Sequence, residues 1–153
     1  MKNWIQSMAT GLMLERPAQK LTLAGHAAQL EGSAHALIAR FAAAPDTEEN
    51  REQLRHIIGI ERWGQRHLLV ALGEPDTEDE YDGYRPSNDL DWDELRGEFR
   101  TTRHDTISIA LELAEADVGI DVTVMHKQYG KLSVYAWLYY LNTHANLEGE
   151  RVK

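Results

Sequence analysis

Residues 23–41 read LAGHAAQLEGSAHALIARF, and Leu23, Ala27, Leu30, Ala34, Leu37 and Phe41 recur within them at intervals of 4, 3, 4, 3 and 4. That period gathers all six side chains on one stripe of an α-helix, and such a stripe needs a partner to bury it. Ala44 and Pro45 close the segment, because proline disfavours the helical conformation in the residue before it. At the other end Pro17 is expected in the first turn of this helix, where its missing N–H costs little.

Working outward, the same logic predicts three more helices. The second opens at Asp46 or Thr47, with Glu48 and Glu49 in its first turn, and presents Leu54, Ile57, Ile58, Leu68, Ala71 and Leu72 before Gly73 stops it. The third starts near Asp91 and carries Trp92, Leu95, Phe99, Thr102, Thr106, Ile109 and Leu113. The last is capped by Ser133 and buries Val134, Trp137, Leu138, Leu141 and Val152. Residues 74–90, with Pro75, Gly83 and Pro86, form a long acidic loop. The alternation of Ile120, Val122 and Val124 suggests a strand, but nothing obvious pairs with it, so 117–131 is expected to be an extended connection ending at Gly130. Four helices of about 20–28 residues make an all-α four-helix bundle the economical fold. It is one domain over 1–153, with 1–16 as a loosely packed N-terminal extension.

Composition narrows the chemistry. There is no cysteine among the 153 residues, which excludes disulfides, thiolate metal sites and a Cys nucleophile. The net charge of −9 is concentrated: residues 74–98 hold 11 acids against two bases, and the rest of the chain is balanced. No basic cluster suits nucleic acid, and no apolar run suits a membrane span or an export signal, so a cytoplasmic protein with neither partner is expected. Solvation is the expected role of the acidic loop, ahead of a covering role.

No phosphate-binding glycine loop, nucleophile elbow or His-Glu-x-x-His motif occurs. His144 and Glu148, four residues apart, share the face of Trp137 and Leu141 and stand close enough to grip one ion. The alternative is a Glu148 that reaches solvent from a frayed last turn. His56, inside the apolar Leu54–Ile58 run, is a further candidate ligand or a core histidine with one bonded nitrogen. His26 and His35 are expected at the boundary of the first helix, His67 on the far side of the second, His104 in solvent, and His126, in the connection before Gly130, in solvent ahead of lining an opening. Glu61 falls on an apolar face and is expected to pair with a buried Arg such as Arg103. A di-metal carboxylate site needs four inward acids, and only Glu61 and Glu148 qualify.

The stretch Leu54-Arg55-His56-Ile57-Ile58-Gly59-Ile60-Glu61-Arg62-Trp63 resembles the second helix of the DinB-like (DinB/YfiT) superfamily. Trp92 to Thr106, with Leu95, Phe99 and Arg103, resembles its third helix, and Gly130-Lys131-Leu132-Ser133 through Trp137 and His144 the start of its fourth. The resemblance implies a four-helix bundle of up-down-down-up topology, crossing over through the 74–90 loop, and often a homodimer, for which an exposed Trp63 or Tyr139 would serve. It also implies a divalent metal (Ni, Zn, Mn or Fe) on His56, His144 and Glu148, the last standing where the family has a third histidine. The implied function is that of a metal-dependent hydrolase or thiol-dependent transferase linked to bacterial stress, acting on a small molecule with any thiol supplied by a low-molecular-weight cosubstrate. The rival is a non-catalytic dimeric bundle or binding module with a vestigial pocket.

Overall fold

Each long helix begins on a side chain that satisfies its first free amides. Thr22 accepts the N–H of Gly25 ahead of α2 (Leu23–Ala43), and Thr47 that of Asn50 ahead of α3 (Glu48–Val70). Asp91 and Glu94 form a reciprocal capping box at the start of α4 (Trp92–Glu115), and Ser133 accepts the N–H of Ala136 ahead of α5 (Val134–Gly149). A further helix, α1 (Trp4–Ala18), precedes them. This computed structural model describes residues 4–153, with side chains from residue 11 onward.

The fold is mostly helical, and the stripes read from the sequence are its core. Leu23, Ala27, Leu30, Ala34, Leu37 and Phe41 are all buried, as are Trp92, Leu95, Phe99, Thr102, Thr106, Ile109 and Leu113. Helix directions follow from who meets whom. Leu30 of α2 accepts from Arg103 of α4 while Phe41 meets Trp92, so these two run antiparallel. Glu61 and Gln65 of α3 bond Arg103 and Thr106 of α4, a parallel pair. His56 meets His144 and Trp63 meets Trp137, so α3 and α5 are antiparallel, while Ser33 and Arg40 of α2 reach Asn146 and Gly149 in parallel. Gly64 makes the α3–α5 approach possible: a Cβ there would stand 2.4 Å from a Leu141 methyl.

Four expectations are corrected. Residues from Trp4 onward are helix rather than a loose extension; the helix packs on α5, its Ala18 is buried, and Glu15 accepts the Ser133 amide at 3.1 Å. Residues 1–3 of that extension lie outside the described residues. Pro17 sits in the last turn of α1, so α2 starts later, behind Thr22. The 117–131 connection contains a strand after all: β1 (Thr123–His126) pairs antiparallel with β2 (Gly130–Ser133), Val124 opposite Leu132. The return strand was hidden because it runs straight into the Ser133 cap. Gly130, at φ +80°, supplies the left-handed residue where the turn enters β2. The last helix is shorter than expected, at 16 residues, and Val152 is buried beyond its end. Among the described residues no helix is long and apolar enough to cross a membrane.

Candidate metal centre

The site lies where α3 and α5 run side by side. His56 and Gln53 share a face of α3 one turn apart, and His144 and Glu148 do the same on α5. Because the helices are antiparallel, His56 meets His144 and Gln53 meets Glu148. The Nε2 atoms of the two histidines are 3.2 Å apart, and one donor atom each from His56, His144 and Glu148 falls within a 4.8 Å cluster. All three residues are half-buried. Glu148 is part of the helix, not a frayed end, and its Oε2 accepts from Gln53 Nε2 at 2.6 Å, with Arg151 Nη1 3.6 Å away.

Burial pushes the His144 imidazole down to about 4, with His56 adding to the effect and Glu148 opposing it. His56 is lowered too, by burial first, against the pull of Glu148. Both rings are therefore neutral near pH 7, and each can offer a lone pair. Two nitrogens bound to one ion at about 2.0–2.1 Å in tetrahedral geometry stand about 3.3 Å apart. The histidine spacing fits that requirement, and the carboxylate supplies compensating negative charge.

A pocket of about 350 Å³ opens over His56 and His144, walled by Ile60, Trp63, Tyr81 and Tyr140. The acidic loop forms one side of it. The Trp63 indole donates to the Asp79 carbonyl at 2.9 Å, Arg66 donates to the Pro75 carbonyl, and the short 3-10 turn Tyr81–Tyr84 sets the Tyr81 ring edge-on to His56. Lys127 of the hairpin turn pairs with Glu80. Tyr81 thus brings the loop to one side of the pocket, while the carboxylates of residues 74–90 are all exposed, as a solvated loop requires.

The remaining candidates divide sharply. Glu61 binds Arg103 as expected, at 2.7 Å, with both side chains 1–2% exposed. His35 and His104 are exposed. His26 is buried and bonds the Ala18 carbonyl, so it is core rather than boundary. Trp63 is 3% exposed, which removes it as a dimer face; Tyr139 is half-buried. Two further histidines depart from expectation. His67 is buried, stacked on Trp137 and bonded to the Trp63 carbonyl four residues back. His126 is buried against Trp63, Trp137, Tyr129 and Tyr140 and lines the pocket. The signal for His126 was the period of two: carried one step past Val124, the alternation puts His126 on the inner face of β1.

Taken together, this is a mostly helical protein with a His-His-carboxylate cluster whose two histidines line an aromatic pocket. No protein-family model, no curated protein and no solved structure matches the chain.

Proposed function

We propose that the chain is a DinB-like four-helix bundle of up-down-down-up topology that holds a divalent metal on His56, His144 and Glu148. On this reading it is a cytoplasmic metal-dependent enzyme, a hydrolase or a thiol-dependent transferase, and works as a homodimer. The topology draws support from the helix pairings, α2 with α5 and α3 with α4 parallel, the other two neighbouring pairs antiparallel.

The observation that carries the metal reading is the convergence of three donor atoms from two helices within 4.8 Å, two of them neutral imidazole nitrogens. A bound ion acts as a Lewis acid and lowers the pKa of a coordinated water or substrate thiol. The chain's own residues do the rest. Gln53 fixes the Glu148 carboxylate, and Trp63, Tyr81 and Tyr140 line the pocket. Burial raises the Tyr140 phenol above its ordinary range, so it stays protonated, as a proton donor facing the pocket must.

The second reading, a non-catalytic dimeric bundle or binding module with a vestigial pocket, draws on Glu148 being engaged by Gln53 and approached by Arg151. Elemental analysis of protein purified without a metal-affinity resin separates the two. The metal reading expects about one equivalent of metal, lost in His56→Ala and in His144→Ala and reduced in Glu148→Ala. Protein that stays metal-free after incubation with Ni²⁺ or Zn²⁺ overturns it in favour of the second.

A further inference from the structure

His126 is placed in the pocket wall with its chemistry already assigned. Its Nδ1 accepts two backbone N–H groups of the hairpin turn, from Gln128 at 3.0 Å and Tyr129 at 3.2 Å. That nitrogen therefore keeps its lone pair, and the neutral ring carries its proton on Nε2, on the side away from the turn. Nε2 is buried and has no hydrogen-bond partner. A buried donor left unmet destabilises the fold, and a ligand that accepts from it removes that cost. Burial holds the ring's pKa at about 3, so the donor is neutral and permanent at ordinary pH.

The walls describe what could meet it. Trp63, Tyr81, Tyr129 and Tyr140 are flat rings around a space of about 350 Å³. An apolar cavity of about 150 Å³ holds one benzene, so there is room here for a single substituted ring. We propose that this pocket binds a small planar ligand bearing a carbonyl-type oxygen, and that the His126 Nε2–H donates to that oxygen. The inference uses the pocket of the proposed metal centre but does not need the ion.

Acetophenone and ethylbenzene, alike in shape but differing in the acceptor, are titrated into metal-free protein and followed by NMR of isotope-labelled imidazoles. Acetophenone is expected to move the His126 Nε2–H resonance downfield, and ethylbenzene is not. His126→Phe, which keeps a flat ring, is expected to weaken acetophenone about tenfold and to leave ethylbenzene unchanged. The wild-type resonance decides the matter even if the variant folds poorly. A resonance that acetophenone leaves in place overturns the proposal, the N–H then resting on the Trp63 or Tyr140 face. So does failure of both probes to bind. Metal content is measured separately, so the metal reading and this one fail independently.

Discussion

The two polar clusters between α3 and its neighbours differ in one respect: whether a cation comes with them. Between α3 and α4, Glu61 meets Arg103, both side chains are 1–2% exposed, and the guanidinium also donates to the Leu30 carbonyl. Between α3 and α5, His56 and His144 face each other as neutral rings beside a carboxylate, half-buried and open to a pocket. The first set brings its own counter-charge. In the second, the Gln53 amide meets the carboxylate, the two Nε2 atoms stand 3.2 Å apart, and the nearest cation is Arg151, exposed and 3.6 Å from Glu148. On apolar stripes, therefore, the polar residue alone does not mark a site; what separates the two clusters is whether a counter-charge is buried with the acid.

The sharpest way to break this contrast is to remove the cation from the closed pair. Burial pushes the Glu61 carboxyl up, and Arg103 holds it back. Arg103→Met leaves that carboxyl buried without its partner and should cost about 3–5 kcal/mol, read as a lower urea midpoint. Replacing both partners, with Glu61→Leu alongside Arg103→Met, should recover most of the loss. A single substitution that costs nothing removes the distinction drawn between the two clusters.

The next effect is one of pH, and it belongs to the open side. His126 stays neutral in the fold down to about 3, whereas in the unfolded chain it takes a proton near 6.5. Between those values the unfolded chain binds the extra proton, so stability rises with pH. The contribution is complete above about 6.5 and is lost as the pH falls toward about 3. His126 alone accounts for a slope of at most about 1.4 kcal/mol per pH unit. Urea unfolding from pH 6 to pH 4 should therefore fall less steeply in His126→Phe than in the wild type. Equal slopes would place the proton elsewhere.

A smaller effect tests how the open cluster is held. Gln53 touches no metal position itself, but its amide fixes the Glu148 carboxylate at 2.6 Å. Loss of such an orienting partner typically costs 10–100-fold in metal affinity. Gln53→Ala should weaken Ni²⁺ or Zn²⁺ binding by about tenfold by calorimetry, with the melting temperature of the metal-free protein nearly unchanged. An unaltered affinity would mean that Glu148 is not a ligand.

The sequence carried more of this than its short motifs suggest, and the omissions share a cause. Helical stripes, caps at Thr47, Asp91 and Ser133, and the Glu61–Arg103 pair were all readable, because period and charge complementarity are local signals. So were His144 and Glu148 on one helix face, with His56 as a further candidate that the resemblance joined to them. What escaped depends on partners far away in the chain or on a short strand. The hairpin escaped because β2 has only four residues, and β2 ends on the α5 cap. His126 followed it out of view. His67 escaped because its burial comes from Trp137, 70 positions later, which no helical period on α3 could announce.

The smallest effect concerns the acidic loop, where charge is most abundant and does least. Lys127 and Glu80 are paired but more than half exposed, and such pairs contribute about 0–1 kcal/mol. The loop's firmer attachments are backbone carbonyls, Asp79 to the Trp63 indole and Pro75 to Arg66. Glu80→Gln should therefore change the urea midpoint by the equivalent of less than about 0.5 kcal/mol and leave metal content unaltered. Trp63→Phe deletes the indole N–H while keeping a ring in the wall, and should cost about 1 kcal/mol and loosen the loop, seen as faster amide exchange over residues 76–82. If Glu80→Gln does the greater damage, the acids themselves hold the loop beside the pocket, and the loop belongs with the Glu61–Arg103 pair as charge spent on structure.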